Sequence, residues 1–189
     1  MLIAWDPHAA VAAGVGADEA RRFLDGFDFA AWNHACDAGR DWSDALDEVA
    51  RTTPRWLPHA RAYVDNFPRS LAGPVAGTHE LIRELHAHGV PQVGLTNWSR
   101  ELYPHAPASY DVLGALDDVV VSGVEGIAKP DEAIYRIALE RIGLQPDRTA
   151  FVDDSLPNVA AADRIGMRAL RFTDAATLRH DLRGLGLPV

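Results

Sequence analysis

The sequence predicts an α/β protein, a Rossmann-like doubly wound parallel sheet with an inserted helical cap. From Pro91 to Val189, short apolar runs alternate with segments of helical periodicity, which is typical of βα units on a parallel sheet. The stretch from about His8 to Arg69 has helical periodicity and no convincing strand. A length of 189 residues suits one domain that carries such an insertion.

Short aliphatic runs define the strands of the predicted sheet, because strands that are buried on both faces are apolar throughout. The predicted strands are Gln92–Thr96, Val119–Ser122, Ala150–Val152 and Met167–Phe172. Amphipathic helices flank them, and two of these helices end at a glycine. The predicted helices of this part are Thr78–His88, Asp131–Ile142, Asn158–Ile165 and Ala175–Leu185.

The cap is predicted from helices alone, and the clearest begins at Trp42 behind an Asp41 cap. The other predicted cap helices are Asp18–Leu24, Phe29–Asp37 and Pro58–Asn66. The stretch Pro68–Gly77 contains two prolines and two glycines, which predicts a hinge back into the α/β part. We therefore assign residues 1–7 and 70–189 to the core and residues 8–69 to the cap.

Composition excludes several classes of protein. A net charge of −9 argues against a nucleic-acid partner, since phosphate backbones require basic patches. No apolar run approaches the roughly 20 residues of a membrane span, and the start has neither a basic region nor a long apolar region typical of a signal peptide. We expect a cytoplasmic protein. Cys36 is the only cysteine, which excludes an internal disulfide and predicts a small core residue.

Polar residues that directly follow strands are candidate ligand-binding residues, because open parallel sheets bind ligands beyond the carboxyl ends of their strands. Thr96 and Asn97 close the apolar strand of GLTNWS. A hydroxyl and free backbone amides at that edge can hold a phosphate oxygen. The alternative is ordinary turn capping, which Thr and Asn perform frequently.

Lys129 is the second candidate, and it is the only lysine among 18 basic residues. It precedes Pro130, which we predict to occupy the first position of a helix. A cation at that place opposes the helix dipole, so its presence indicates function through pairing with an anion. The alternative is an exposed lysine in a turn.

Asp153 and Asp154 are the third candidate, because they directly follow the apolar strand of TAFVDDSLPN. Two adjacent carboxylates repel one another unless they share a cation, and Mg²⁺ prefers such oxygen ligands. Ser155 is predicted to cap the next helix, with Pro157 in its first turn. The alternative is that one carboxylate caps the helix and the other is solvated.

Together these motifs resemble a known family. GLTNWS, AKPD and FVDDSLPNVAAADRIGM, in this order and spacing, are similar to motifs two, three and four of the haloacid dehalogenase (HAD) superfamily. The likeness is strongest to the phosphatase-like members of subfamily I with a small helical cap, which WDPHAA also resembles. The resemblance implies a HAD-type core and a Mg²⁺-dependent phosphatase that acts on a small phosphorylated metabolite through an aspartyl-phosphate. It leaves monomer and homodimer open.

The resemblance also implies roles for the candidate residues. Thr96 and the Asn97 amide would bind the phosphoryl oxygens, with Thr96 counted among the catalytic residues. Lys129 would be catalytic and phosphate-binding, because it neutralises charge on the nucleophile and the phosphate. The metal ligands would be Asp153 and Asp154. Trp98 is a possible substrate contact.

The first family motif, which supplies the nucleophile, is missing. The family pattern resembles D-x-G-x-V followed by L-I-x-W-D-P, and Met1 stands where the valine would be. The aspartate would then lie about four residues upstream. Asp6 does not replace it, since Asp6 precedes Pro7 and is predicted to cap the first cap helix.

A misplaced start would explain this pattern, and it carries a structural expectation. The missing strand lies in the middle of the family's sheet and would bury about five side chains at ~1.5 to 3 kcal/mol each. The chain as written is therefore expected to be unstable or misassembled. Two alternatives remain open: a 2-haloacid dehalogenase, which attacks carbon without a metal, and an inactive, truncated HAD-fold protein that binds Mg²⁺ and phosphate weakly.

Overall fold

The computed structural model describes all 189 residues, Met1–Val189, and confirms the predicted α/β class. Each predicted strand is present to within one residue at either end. The parallel strands are β3 (Val93–Thr96), β4 (Asp118–Val121), β5 (Ala150–Asp153) and β6 (Arg168–Arg171). The aliphatic side chains of these strands pack against helices on both faces, as expected of parallel strands.

Helices make up most of the remaining chain. The cap helices are α1 (Pro7–Val15), α2 (Ala17–Gly26), α3 (Phe29–Asp37), α4 (Trp42–Thr52) and α5 (Leu57–Asp65). The core helices are α6 (Thr78–Ala87), α7 (His105–Ser109), α8 (Ser122–Glu125), α9 (Glu132–Ile142), α10 (Leu156–Arg164) and α11 (Ala175–Gly184). Short 3₁₀ turns lie at Pro54–Trp56, Phe67–Ser70, Asp111–Ala115 and Pro146–Arg148. None of the helices has the length and apolar run that a membrane crossing requires.

The cap has an aromatic core of its own. Trp32 and Trp42 meet edge to face at 4.9 Å between ring centroids, and Phe29 meets Tyr63 at the same distance. Such pairs contribute about 0.5 to 1.5 kcal/mol each beyond the apolar area that they bury. Cys36 is buried in the same cluster, as predicted. These contacts give the inserted helices their own hydrophobic core.

Two short strands connect the cap and the core. β1 (Ile3–Trp5) and β2 (Leu71–Pro74) pair antiparallel where the chain enters and leaves the cap. This ribbon was not predicted, because the stretch Pro68–Gly77 indicated only a hinge. The two segments gain their hydrogen bonds from each other, and neither has a strand pattern by itself. The ribbon lies at the boundary that the sequence suggested, although the division into two domains stays a prediction.

The parallel strands form two separate pairs. β3 pairs only with β4, and β5 pairs only with β6. Between the pairs lies a cavity of about 1080 Å³, lined mostly by apolar residues, which we call the strand cleft. Within residues 1–189, no strand pairs with the edges of β3 and β5 that border this cleft.

The structure confirms one of the three predicted side-chain caps of helices. Asp6 caps α1 as predicted, since its carboxylate accepts hydrogen bonds from the amides of His8 and Ala9. Asp41 and Ser155 occupy the predicted cap positions of α4 and α10, but neither side chain bonds to its helix. The Asp41 carboxylate pairs instead with Arg100, so a tertiary ion pair competes with the local cap.

Gly123, in α8, allows a close approach to the loop that follows β3. A Cβ at this position would lie 2.6 Å from the Arg100 nitrogen and 2.8 Å from the Ser99 Cα, which are backbone atoms. We expect Gly123→Ala to lower the free energy of unfolding by about 1 to 3 kcal/mol through this overlap. Gly114→Ala is the control, because nothing lies within 4 Å of a Cβ there. Urea unfolding measures both; equal stabilities would contradict the predicted close packing.

Candidate active site

The site begins with a buried ion pair at the carboxyl ends of β3 and β5. Lys129 Nζ lies 2.7 Å from Asp153 Oδ2 and donates a second hydrogen bond of 2.8 Å to the Leu95 carbonyl oxygen. Lys129 is 9% exposed and Asp153 is 4% exposed. One ammonium group therefore bridges the two strand pairs, and its anionic partner within the chain is Asp153.

The backbone around Lys129 is fixed by Asn97. The Asn97 side chain accepts from the Lys129 amide at 2.8 Å and donates to the Lys129 carbonyl oxygen at 2.9 Å. Lys129 and Pro130 lie in a turn, and α9 begins at Glu132 behind the Asp131 cap. The predicted helix start at Pro130 is thus wrong, because Asp131 offers the better cap, and the alternative of an exposed lysine is also wrong.

Lys129 and two further hydrogen-bond donors hold Asp153 as a carboxylate, against the effect of its burial. Its Oδ1 accepts from the Ser155 amide at 2.9 Å and from Asn158 Nδ2 at 3.0 Å. Burial raises the pKa of the Asp153 carboxyl, but the charge and hydrogen bond of Lys129 and these two donors outweigh it. The net effect holds the pKa below its usual value.

The two adjacent carboxylates fit a magnesium ion only in part. Asp154 is exposed at the end of β5, while both oxygens of Asp153 already accept hydrogen bonds. No group of three or more His, Cys, Asp or Glu side chains is arranged to hold a metal. Mg²⁺ commonly takes one or two carboxylates, several waters and phosphate oxygens, and this pair of oxygen donors matches that use. The metal role of Asp153 and Asp154 stays a prediction.

Thr96 and Trp98 lie on either side of Asn97. Thr96 ends β3, is half-buried and borders the strand cleft. The Trp98 ring packs edge to face on Phe67 and Tyr103, at 5.7 Å from each. Trp98 thus links the loop after β3 to the cap cluster, and its indole nitrogen is buried without a hydrogen-bond partner. The phosphate role of Thr96 and the substrate contact of Trp98 stay predictions.

The cap is attached to the same loop through Ser99. The Trp42 indole donates to Ser99 Oγ at 2.8 Å, and the Trp42 amide donates to Glu101 at 3.1 Å. The buried Asp37 carboxyl accepts from the Ser99 amide and, at 2.9 Å, from Asn33. Burial raises the pKa of Asp37 to about 7, although the Ser99 amide lowers it. The corner between α3 and α4 is therefore joined to the loop that carries Thr96 and Asn97.

Sequence reasoning missed two residues that organise the site. Asn158 lies one turn beyond the aspartate pair and binds Asp153. Its position in the motif FVDDSLPN was the available signal. Ser122 Oγ accepts from the Trp98 amide at 2.9 Å and so fixes the loop after β3. Nothing in the sequence near Ser122 indicates that contact, which joins two strand ends.

These features define a class of protein: a capped α/β protein with a buried lysine–aspartate pair beside a second carboxylate at the strand ends. The model of the haloacid dehalogenase-like hydrolases matches residues 5–166. The chain belongs to that family. It is thus a HAD-family hydrolase by descent, and the resemblance found in the motifs is confirmed.

Relatives with assigned activities include phosphatases. A sesquiterpene phosphatase of Aspergillus oryzae is 34% identical over 112 residues, which are 59% of this chain and 57% of that protein. A phosphoserine phosphatase of Thermus thermophilus is 28% identical over 132 residues, 69% of this chain and 52% of that protein. The chain thus matches little more than half the length of either relative.

Solved structures with the same fold include a magnesium-bound HAD family enzyme and a haloacid dehalogenase. A HAD family enzyme of Bacteroides thetaiotaomicron, solved as a magnesium complex, matches with a TM-score of 0.70 at 16% identity. The match covers 96% of this chain and 93% of that enzyme's chain. The L-2-haloacid dehalogenase of Xanthobacter autotrophicus matches with a TM-score of 0.61 at 18% identity. That match covers 97% of this chain and 79% of the dehalogenase chain. At these identities the likeness concerns the fold.

Removal of one partner from the buried pair should destabilise the protein. Lys129→Met leaves the Asp153 charge uncompensated, so we expect a loss of about 3 to 5 kcal/mol in the free energy of unfolding at pH 7. In the parent, the folded-state pKa of Asp153 is lowered, so its stabilisation is present above the unfolded pKa and disappears as pH falls through the folded one.

The double variant Lys129→Met with Asp153→Asn is the matched control, because it removes both charges. We expect it to recover most of the stability that Lys129→Met loses. Urea unfolding of the parent and both variants provides the measurement. A single variant as stable as the parent would show that the buried pair is energetically unimportant.

The raised pKa of Asp37 should make the stability of the protein depend on pH with a sign opposite to that of Asp153. Its pKa in the folded state is about 7, above the ordinary aspartate value of 3.8, so the folded state binds this proton more tightly than the unfolded state. Stability should therefore fall as pH rises from about 4 to 7, by up to roughly 4 kcal/mol. Asp37→Asn should remove this slope, while Asp25→Asn, at an exposed position, should keep it. An unchanged slope in Asp37→Asn excludes Asp37 as its source.

Proposed function

We propose that this chain forms most of a Mg²⁺-dependent phosphatase that acts on a small phosphorylated metabolite. The observation that carries the proposal is the buried Lys129–Asp153 pair beside the exposed Asp154. Positioning and charge stabilisation supply most of what phosphoryl transfer requires. A lysine whose backbone is fixed by Asn97 and whose ammonium is fixed by Asp153 provides a charge in a defined place.

The charges of the site favour a divalent cation. Lys129 and Asp153 neutralise each other, so Asp154 leaves the group with a net negative charge. A phosphate dianion would be repelled from such a site, whereas one Mg²⁺ held by Asp154 and Asp153 would reverse the sign. When bound, the ion would neutralise charge on the phosphoryl oxygens. This argument favours phosphatase chemistry over metal-independent dehalogenation.

Phosphate binding would use the end of β3. Thr96 offers a hydroxyl, and the Asn97 amide follows it at the carboxyl end of the strand. Lys129 would meet the same phosphoryl group from the other side, since its ammonium lies between β3 and β5. Its role would be to neutralise charge on the phosphate and on an attacking aspartate.

No residue among 1–189 matches the aspartate that the family resemblance assigns as the nucleophile. The resemblance places an aspartate about four residues before Met1. There its carboxylate would attack phosphorus, the alcohol would leave, and water would then hydrolyse the aspartyl-phosphate to release phosphate. The cap would close over the site and select the substrate, through contacts such as Trp98. Small substrates are supported by the phosphoserine phosphatase relative.

The second candidate is a 2-haloacid dehalogenase, which the Xanthobacter autotrophicus structure of the same fold favours. The two chemistries differ in their need for a metal. Halide release from a 2-haloacid that is insensitive to EDTA would support the dehalogenase and contradict the phosphatase.

The test compares this chain with a version extended by the upstream reading frame, both assayed on p-nitrophenyl phosphate. We expect hydrolysis only by the extended version, lost with EDTA and restored by Mg²⁺. Asp154→Asn and Lys129→Met in that version should each lower kcat by roughly 100-fold or more. Asp163→Asn, at an exposed position on α10, is the matched control and should leave kcat unchanged. An extended version that is inactive with Mg²⁺ would refute the proposal.

A further inference from the structure

We propose that Asp37 is a positioning residue for the cap: its protonated carboxyl holds the cap against the loop after β3, and its ionised carboxyl lets the cap open. The loop after β3 comprises residues 97–104. We call the contact of the Asp37 carboxyl with the Ser99 amide the cap latch. The latch itself is independent of the proposed function, whereas its effect on catalysis rests on that function.

The cap holds the loop through Ser99, which is 1% exposed. The Ser99 amide donates to the carboxyl of Asp37, the last residue of α3. Ser99 Oγ accepts a hydrogen bond of 2.8 Å from the indole of Trp42, the first residue of α4. The backbone and the side chain of Ser99 are therefore both bonded to the cap, two positions after Asn97.

The core fixes the same loop independently of the cap. Ser122 Oγ accepts from the Trp98 amide at 2.9 Å, and the Gly123 amide donates to the Trp98 carbonyl oxygen at 3.0 Å. The residue before Ser99 is thus bonded to α8 through both of its backbone groups. Loss of the cap latch would therefore separate the cap from the core, because the loop stays with the core.

Neutral groups donate to the Asp37 carboxyl. Asn33 Nδ2 donates to Asp37 Oδ2 at 2.9 Å, and Asn33 Oδ1 accepts from the Tyr63 hydroxyl of α5 at 2.9 Å. Burial and then the charge of Asp37 raise the pKa of the Tyr63 hydroxyl, so it stays a neutral donor. Neither Asn33 nor the Ser99 amide carries a charge that would compensate an ionised carboxyl. A buried charge without a counter-charge is costly.

The ionisable groups on the neighbouring elements do not offset this cost. On α3, His34 is exposed, and burial raises the pKa of the Cys36 thiol to about 12, so the thiol is neutral. The charged groups around the end of α3 are two arginines, each paired with another carboxylate, and one further carboxylate: Arg40 with Glu48, Arg100 with Asp41, and Glu101. On α8, Glu125 is paired with Arg141.

The direction of the effect follows from the two surroundings of Asp37. Against Ser99, burial raises the pKa of its carboxyl to about 7, although the Ser99 amide lowers it. With the cap open, the carboxyl is hydrated and its pKa returns to the ordinary value of 3.8. Between these two values, ionisation favours the open cap by up to about tenfold per pH unit. The cap is thus held most firmly below about pH 4 and least firmly above about pH 7.

Amide hydrogen exchange at Ser99 measures the opening of the cap in this chain. We expect the opening equilibrium, corrected for the intrinsic exchange rate, to increase by roughly tenfold or more from pH 5 to pH 7 and then to level off. It should exceed the opening equilibrium of Leu139, a buried residue of α9, at every pH. Equal values at Ser99 and Leu139 would mean that only global unfolding frees Ser99, which would overturn the proposal.

Two variants separate the charge of Asp37 from its hydrogen bond. Asp37→Asn keeps an acceptor for the Ser99 amide without a charge, so Ser99 should open at pH 7 no more often than in the parent at pH 5. Asp37→Ala removes the acceptor and should raise the opening equilibrium roughly threefold or more above that of Asp37→Asn at both pH values. Asp47→Asn, at an exposed position of α4, is the control and should keep the profile of the parent. A pH dependence that persists in Asp37→Asn would overturn the proposal.

Activity separates this inference from the proposed function, because the exchange measurement needs no catalysis. In the extended version that tests the phosphatase, we expect kcat/KM of the parent, relative to that of Asp37→Asn, to fall roughly threefold or more from pH 5 to pH 7. A constant ratio would contradict the effect of the latch on catalysis. An inactive extended version would count against the phosphatase, and the exchange at Ser99 would still decide the latch.

Discussion

The Lys129–Asp153 ion pair is the interaction on which the organisation of the site depends. It lies at the only place where β3 and β5 are bridged by a side chain, with Lys129 also bound to the Leu95 carbonyl. Two buried charges are costly to desolvate, and this pair offsets the cost through short contacts and the donors on Asp153. Such a pair is weak evidence for stability. Its location at the strand ends is better explained by binding of a further charged group.

The loop after β3 connects this pair to the cap. Asn97 fixes the backbone of Lys129, Trp98 packs among cap aromatics, and Ser99 bonds to Trp42. Gly39 and Gly126 approach each other on the same side, where a Cβ on Gly39 would lie 3.0 Å from the Gly126 Cα. A displacement of the cap therefore acts directly on the residues next to the proposed phosphate site. In the proposed function, this arrangement would couple substrate selection by the cap to chemistry in the core.

The balance of charges at the site bears on the choice between the two proposed hydrolase activities. With Lys129 neutralised by Asp153, the sign of the site depends on Asp154 and on whatever cation it holds. A phosphate needs the positive site that a divalent ion creates, whereas a neutral carbon centre does not. The exposed carboxylate beside the buried one is thus the feature on which the proposed phosphatase activity rests.

The sequence by itself determined the class of fold, the strands to within one residue and the capping of α1 by Asp6, because each follows from a local pattern. It also placed Lys129 and Asp153 in one group, because the carboxyl ends of parallel strands lie at the same edge of a sheet. Only the tertiary structure decided the β1–β2 ribbon, the turn that holds Lys129, the contacts of Asn158 and the split of the sheet. These depend on pairing between distant segments, which no local pattern encodes. The pairing of β3 with β4 and of β5 with β6, with the strand cleft between the two pairs, is one such result of tertiary structure.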